Sequence, residues 1–323
     1  MGVILQDQVA LVTGASRGIG RGIALQLGEA GATVYITGRR PELSDNFRLG
    51  LPSLDYVAKE ITSRGGKGIA LYVDHSNMTE VKFLFEKIKE DEEGKLDILV
   101  NNVYNSLGKA TEMIGKTFFD QDPSFWDDIN GVGLRNHYYC SVYAARMMVE
   151  RRKGLIVNVG SLGGLKYVFN VAYGAGKEAL ARMSTDMAVE LNPYNVCVVT
   201  LIPGPVKTET ANRTIIDDAY KMIKENPELE EFIKGESTEY TGKALARLAM
   251  DPGKLKKSGK TLFTEDLAQK YDFSDKHGAG MEPQNIRSIR TILGTMGKEE
   301  VAKYIPPQIK LPKWVIWQSV NRF

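Results

Sequence analysis

The sequence predicts an α/β protein built on a doubly wound parallel sheet, because short β-branched runs alternate with longer helical patterns. Most of the runs are continuously apolar, as expected for strands that helices cover on both faces. We predict about seven strands in a three-layer α/β/α arrangement, at Val9–Thr13, Thr33–Thr37, Ile69–Val73, Ile98–Asn101, Leu155–Val159, Val196–Ile202 and Thr261–Thr264. After the first strand, Ile19, Ile23 and Leu27 recur at helical spacing and predict the first crossover helix.

The chain is predicted to form one domain over residues 1–265, followed by a C-terminal extension over residues 266–323. The extension contains the aromatic cluster Trp314–Trp317, which predicts packing on the domain, on a partner subunit or on a membrane surface. The charged segment Glu209–Tyr240 predicts either a mobile lid over a substrate pocket or an ordinary pair of surface helices. We expect an intracellular protein, cytoplasmic or peripherally associated with an organelle membrane such as the endoplasmic reticulum.

Composition argues against two classes of function. The 42 Lys and Arg residues nearly balance 40 Asp and Glu residues, so no basic excess indicates a nucleic-acid partner. The three histidines (His75, His137 and His277) lack metal-ligand spacing, and we predict no metal. Cys140 and Cys197 lie in apolar runs and are predicted to be core residues.

A glycine-rich loop connects the first strand to the first helix. Gly14, Gly18 and Gly20 would permit a tight turn and a close approach of a pyrophosphate to the backbone. The N-terminus of the helix would offer free N–H groups to that anion. The spacing GxxxGxG over Thr13–Gly20 therefore predicts a Rossmann-type dinucleotide site that includes Ser16, Arg17 and Ile19. The alternative is a plain strand–helix turn.

The end of the second strand predicts which cofactor is preferred. An NAD-dependent enzyme normally has an acidic side chain there, which holds the ribose hydroxyls. This strand instead continues into Gly38 and Arg39, and Arg17 lies in the glycine loop. Guanidinium groups bind phosphate well, so NADP(H) is predicted in preference to NAD(H). The alternative is that both arginines are solvated surface charges.

Ser161, Tyr173 and Lys177 form the predicted catalytic group. Tyr173 and Lys177 are four residues apart and would share a helix face. The ammonium group of Lys177 is expected to lower the pKa of Tyr173, which makes this tyrosine a general acid for a carbonyl oxygen. Ser161 follows a strand and would reach the same edge of the sheet, where it could hydrogen-bond the substrate oxygen.

Taken together, these motifs resemble the short-chain dehydrogenase/reductase family across roughly residues 5–265. The segment Asn101–Tyr104 is similar to the family's NNAG element, which steadies the sheet, although Val103 and Tyr104 replace Ala and Gly. Pro203–Thr208 is similar to the PGxVxT element, and on this resemblance Thr208 contacts the nicotinamide carboxamide, Asp74 the adenine and Lys177 the nicotinamide ribose. The resemblance and the motifs place the following residues at the cofactor: Gly14, Ser16, Arg17, Gly18, Ile19, Gly20, Arg39, Asp74, Asn101, Tyr173, Lys177, Pro203, Val206 and Thr208.

One position departs from the family pattern. Counted from Trp126, the asparagine of the family's proton relay falls on Gly133. Asn130 is three residues earlier and would share nearly the same face of a regular helix. It is a candidate replacement in catalysis, and a purely structural role for it is the alternative.

The leading hypothesis is an NADPH-dependent reductase of a lipophilic or steroid-like ketone or aldehyde. Aromatic residues predicted near the site suggest an apolar pocket that would suit this substrate class, and core packing is the equal alternative for them; they are Tyr104, Phe118, Phe119, Tyr167 and Phe169. A catalytically weak NADP(H)-binding sensor or scaffold is the second hypothesis, and reduction of a conjugated carbon–carbon double bond is the third. A homodimer or homotetramer is the expected assembly.

Overall fold

A computed structural model of the chain describes residues 5–40, 50–105, 116–209, 235–275, 288–290, 293, 298–306 and 309–312. Residues 210–234 of the predicted lid, the cluster Trp314–Trp317 and His277 lie outside these ranges. Seven strands form one sheet, and each lies within two residues of its predicted bounds. They are β1 Val9–Val12, β2 Thr33–Gly38, β3 Lys67–Tyr72, β4 Ile98–Asn101, β5 Gly154–Val159, β6 Val196–Ile202 and β7 Thr261–Phe263.

The strands are all parallel and lie in the order β3-β2-β1-β4-β5-β6-β7. The chain runs outward from β1 to β3 and then crosses back to place β4 beside β1. Crossover helices leave β1 and β4 on opposite sides at this point, and ligands of open α/β sheets bind in the resulting crevice at the carboxyl ends of the strands. The predicted Rossmann-type architecture is confirmed.

Helices cover both faces of the sheet. They are α1 Gly18–Glu29, α2 Leu54–Ser63, α3 Met78–Asp91, α4 Ser124–Asn130, α5 Asn136–Arg151, α6 Val171–Leu191, α7 Thr238–Met250, α8 Thr264–Tyr271 and α9 Glu299–Ala302. A π-helical turn over Gly131–Arg135 joins α4 to α5. One core layer lies against α1, α2 and α7, and the other lies against α3, α5 and the end of α6.

The two core layers follow from the alternation of side chains along a strand. In β1, Ala10 and Val12 pack into the layer with α1, whereas Val9 and Leu11 pack into the layer with α3. A strand that is apolar at every position can therefore bury all of its side chains. This explains why the continuous apolar runs, rather than alternating ones, correctly predicted these strands.

Side-chain caps determine where several helices begin. An oxygen of the residue before each helix accepts a backbone N–H of the first turn, which would otherwise lack a partner. These caps are Ser53 for α2, Asn77 for α3, Asn170 for α6 and Ser237 for α7. The residue before α1 is Arg17, whose side chain makes no such bond.

The two cysteines are buried and unpaired, as predicted from their apolar surroundings. Burial raises the pKa of the Cys197 thiol to about 11, and it also raises the pKa of Cys140 well above its ordinary value. Within the described ranges, no helix combines the length and the apolar character needed to cross a bilayer.

Candidate active site

The glycine loop lies at the crevice between β1 and β4. Gly14 and Gly18 have φ values of +67° and +58°, a region that residues with a side chain rarely adopt. A Cβ atom added to Gly14 would be 2.7 Å from Cα of Val103, and one added to Gly20 would be 2.4 Å from Nδ2 of Asn102. The glycines therefore let the loop pack directly on the segment that follows β4.

Asn102 stabilises the packing of the glycine loop on the segment after β4. Its Nδ2 donates to the carbonyls of Thr13 and Gly14 at 2.9 and 3.0 Å, so it holds the first turn of the loop. Asn101 faces the other way and is fully buried, with Nδ2 donating to Ser141 Oγ and Asn158 Oδ1, each at 2.9 Å. The contacts of Nδ2 agree with the expected role of Asn101 in steadying the sheet. Sequence reasoning missed the specific role of Asn102, although its position after a strand was a signal.

A carboxylate occupies the N-terminus of α1. Glu209 Oε2 accepts a hydrogen bond from Gly18 N at 2.8 Å, and its other oxygen lies 3.7 Å from the Arg21 guanidinium. Chemically, this carboxylate stands in for a phosphate oxygen at a helix N-terminus. The contact shows that Gly18 N–H is directed towards an anion at the point where the sequence predicts the pyrophosphate. No sequence signal relates residues so distant along the chain.

The residues predicted at the adenosine end lie in the glycine loop or directly after β2 and β3. Ser16 approaches the end of β2, since a Cβ on Gly38 would be 3.4 Å from Cβ of Ser16. Arg17 is half-buried and Arg39 is exposed at this edge. Asp74 Oδ1 accepts hydrogen bonds from N and Oγ of Ser76 at 2.9 and 2.8 Å, so this carboxylate also shapes the turn that leads into α3.

The structure brings Ser161, Tyr173 and Lys177 together at the carboxyl edge of β5. Ser161 hydrogen-bonds the Tyr173 hydroxyl, and its Oγ accepts from Gly163 N at 3.1 Å. Tyr173 lies in the first turn of α6, where Asn170 caps its backbone N–H at 2.9 Å. Lys177 is buried one turn later and donates from Nζ to the carbonyl of Val159 at 3.1 Å. The helical spacing correctly placed Tyr173 and Lys177 on the same side of α6.

The protonation of this group differs from the sequence-based expectation. Burial raises the pKa of Tyr173 to about 12, and the Ser161 hydrogen bond only partly opposes that effect. Burial also lowers the pKa of Lys177 to about 8. The expectation that Lys177 lowers the pKa of Tyr173 is wrong for this arrangement, because Nζ bonds to the backbone and lies 5.9 Å from the centre of the Tyr173 ring.

Two aromatic rings enclose Tyr173. Tyr104 and Phe169 meet its ring edge to face, with centroid distances of 5.7 and 5.2 Å. Lys177 Nζ lies 4.7 Å from the centre of the Tyr104 ring. Tyr167 is exposed and donates to the carbonyl of Phe169, whereas the exposed Phe118 and Phe119 pack on each other. Of the five aromatic residues predicted near the site, two therefore contact Tyr173.

Asn130 and Gly133 face different neighbours. Asn130 Nδ2 donates to the carbonyl of Ala172 at 3.1 Å, and a Cβ on Gly176 would be 1.9 Å from its Oδ1. A Cβ on Gly133 would instead be 2.5 Å from Cδ2 of Tyr104. The helix is not regular here, because the π-turn begins directly after Asn130. Asn130 thus braces the start of α6, and this geometry does not support the suggested catalytic replacement.

The segment after β6 closes the site on the other side. Val206 forms a parallel bridge with Glu236, and Thr208 Cγ2 would be 3.5 Å from a Cβ on Gly18. Glu236 accepts from the Gly204 backbone and from Thr241, and burial raises the pKa of this carboxyl to about 8. Thr208, at the end of Pro203–Thr208, therefore adjoins the glycine loop. No motif in the sequence indicated that Glu236 would be buried against this segment.

The three histidines and two cysteines had been predicted not to bind metal. His75 lies between Thr37 Oγ1 at 2.7 Å and Asn136 Oδ1 at 2.9 Å, and His137 Nε2 donates to the Val103 carbonyl at 2.9 Å. Burial lowers the pKa of both imidazoles. Over the part of the chain that the structure describes, no three His, Cys, Asp or Glu side chains are grouped as metal ligands would be.

Comparison with known proteins identifies the family. A family model described as short chain dehydrogenase matches residues 8–218. The human protein "Dehydrogenase/reductase SDR family member 1" is 42% identical over 328 residues, which is 100% of both chains. This chain belongs to the short-chain dehydrogenase/reductase family.

This chain is also similar to further proteins of this family of NAD(P)-dependent oxidoreductases. The "3beta-hydroxysteroid dehydrogenase" of Mediterraneibacter gnavus is 30% identical over 219 residues, covering 68% of this chain and 73% of that protein. A solved structure from Beutenbergia cavernae, described with bound NADP at low occupancy, superimposes with a TM-score of 0.65 at 26% identity. It covers 81% of this chain and 97% of that one. The glycine cradle and the anion-binding N–H of Gly18 fit such a dinucleotide.

Proposed function

We propose that this protein is an NADPH-dependent reductase of lipophilic carbonyl compounds, with Tyr173 as the general acid. The observation that carries the proposal is the convergence of Ser161, Tyr173 and Lys177 at the carboxyl edge of the sheet that also carries the glycine loop. The nicotinamide cofactor would supply the hydride. The chain would supply the proton, the oxyanion contacts and the orientation of both reactants.

Each member of the catalytic group would contact either the substrate oxygen or the cofactor beside it. The Ser161 hydroxyl would hydrogen-bond the carbonyl oxygen and stabilise the negative charge that develops there. Tyr173 keeps its proton throughout the neutral range because its pKa is about 12, so it can donate that proton to the same oxygen. A charged Lys177 would hold the nicotinamide ribose beside this oxygen.

The surroundings of Tyr173 favour an apolar substrate. Rings of Tyr104 and Phe169 flank it, and Leu162 and Leu165 pack nearby around the end of β6. Apolar walls with a few convergent polar groups are typical of small-molecule pockets. The similarity to a 3beta-hydroxysteroid dehydrogenase supports a steroid-like carbonyl as one member of this substrate class.

The test follows NADPH absorbance while the purified full-length protein meets a panel of ketones, aldehydes, quinones and steroids. Consumption with formation of the alcohol supports the proposal. A product that keeps its carbonyl and loses a double bond would assign the reaction to an alkene instead. Tight NADPH binding with no turnover on the whole panel would favour the sensor or scaffold, which the glycine at position 133 also motivates.

Arg39→Ala is expected to reduce kcat/KM for NADPH by about 10- to 100-fold and to leave the value for NADH unchanged, because a hydrogen bond to a charged group contributes roughly 1.5–3 kcal/mol. Arg39 is exposed at the end of β2, where a 2′-phosphate would lie. Steady-state kinetics with both cofactors measures the change. Arg182→Ala is the matched control, since this exposed arginine pairs with Asp186 on the surface of α6. Equal losses with both cofactors would contradict the assigned phosphate contact.

Glu209→Gln is expected to tighten NADPH binding by about two- to fivefold, because a charge that competes for a helix N-terminus contributes roughly 0.3–1 kcal/mol. The wild-type carboxylate accepts from Gly18 N, the group proposed to bind the pyrophosphate. Titration calorimetry gives Kd directly, and Glu190→Gln on the exposed face of α6 is the control. Unchanged or weaker binding would show that Glu209 does not compete with the cofactor.

A further inference from the structure

Tyr104 and Gly133 are complementary in shape. A Cβ atom on Gly133 would be 2.5 Å from Cδ2 and 2.6 Å from Cε2 of the Tyr104 ring, closer than real Cβ atoms approach other atoms. Gly131, in the same π-turn, has open space around the equivalent position, with nothing within 4 Å. The Tyr104 ring therefore excludes a side chain at position 133, whereas the backbone of the π-turn does not.

The same ring contacts both ionisable members of the catalytic group. Lys177 Nζ lies 4.7 Å from its centre, and the Tyr173 ring meets it edge to face at 5.7 Å. An ammonium over an aromatic face is attracted by the ring quadrupole, and the attraction is stronger where water is excluded. Because Lys177 is buried and its Nζ donates to the Val159 carbonyl, the ring and this carbonyl together determine where the ammonium lies.

The hydroxyl of Tyr104 does not account for the position of the ring. Its oxygen is buried and has no hydrogen-bond partner among the described residues. Burial without a partner is unfavourable for a hydroxyl, so the side chain is retained here at an energetic cost. Phenylalanine would avoid that cost and keep the ring, which makes Tyr104→Phe an informative variant.

We propose that Tyr104 is a positioning residue that holds Lys177 and Tyr173 in their reactive arrangement, and that Gly133 provides the space its ring requires. This inference rests on the proposed function for its catalytic consequence. Position 133 is where the family pattern has a catalytic asparagine, and position 104 is where it has a glycine. The two departures from the family pattern are thus complementary. The helix lacks a side chain at position 133, and the loop after β4 carries a large one at position 104.

The test is a double-mutant cycle with Gly133→Ala, Tyr104→Gly and the double variant. Each single change is expected to lower kcat by about tenfold, because displacing a catalytic group by about 1 Å can cost up to a hundredfold. The double variant should lose about tenfold as well, rather than about a hundredfold, since both changes act through the same ring. Multiplicative losses would overturn the inference, as would full activity in Gly133→Ala.

Three further measurements separate positioning from folding and from the proposed function. Tyr104→Phe should retain most of the activity, and a loss as large as that of Tyr104→Gly would contradict a role for the ring. Gly131→Ala is the matched control and should behave as the wild type. The Kd for NADPH, measured by calorimetry, should show the same non-additive pattern, because the ring acts on the cofactor through Lys177. Additive changes in Kd would overturn the pairing of Tyr104 with Gly133 even if no substrate were known. If the wild type reduces no carbonyl, only the proposed function fails.

Discussion

Tyr173→Phe is expected to lower kcat for carbonyl reduction by about a thousandfold, because a general acid contributes roughly 10²- to 10⁴-fold. The variant keeps the ring between Tyr104 and Phe169 and loses only the hydroxyl that Ser161 contacts. Folding and NADPH affinity should therefore change little. NADPH absorbance measures the rate, and thermal unfolding monitors the fold.

The matched control for this prediction is Tyr56→Phe, which removes a hydroxyl from an exposed tyrosine of α2. It should show wild-type kinetics. Activity above about a tenth of the wild-type rate in Tyr173→Phe would mean that another group or a solvent molecule donates the proton. The assignment of Tyr173 as general acid would then be wrong, while the family membership would be unaffected.

Lys177→Met is expected to lower kcat/KM at neutral pH by about a thousandfold, since it removes both the buried positive charge near Tyr173 and a predicted ribose contact. The wild type should also show a characteristic pH dependence. Because burial lowers the pKa of Lys177 to about 8, the charged form predominates below that pH and is lost as the pH rises through it. Wild-type kcat/KM for reduction should therefore decline above about pH 8.

The pH profile of kcat/KM reports ionisations of the free enzyme and is the appropriate measurement. The decline above pH 8 should disappear in Lys177→Met, whose residual activity should be flat across that range. Lys59→Met, at an exposed position of α2, is the control and should keep both the rate and the profile of the wild type. A decline near pH 8 that persists in Lys177→Met would assign it to another group.

The fold was largely predictable because its signals are local. Val196–Ile202 is apolar or β-branched at every position and is a strand over the same residues. The positions of Ser161, Tyr173 and Lys177 also followed from local rules, namely the end of a strand and the spacing of one helical turn. Glycines between a strand and a helix likewise predicted the tight turn after β1, where Gly14 and Gly18 have positive φ values.

The errors arose where distant residues determine a side chain's surroundings. The pKa of Tyr173 depends on where Lys177 Nζ lies, and that depends on the Tyr104 ring and the Val159 carbonyl. The face of Asn130 depends on a π-turn, which adds a residue to one turn and breaks the period of 3.6. The contact of Glu209 with Gly18 joins residues 191 positions apart and left no pattern in the sequence.

The burial of both cysteines has a practical consequence for studying this enzyme in solution. Their thiols are shielded and stay protonated at neutral pH, whereas maleimide-type reagents react with accessible thiolates. A single cysteine introduced at an exposed site such as Glu190 should therefore accept a fluorophore selectively, without removal of the native pair. Such a labelled protein would allow ligand exchange to be followed by energy transfer from the reduced cofactor, in a background that keeps its native core.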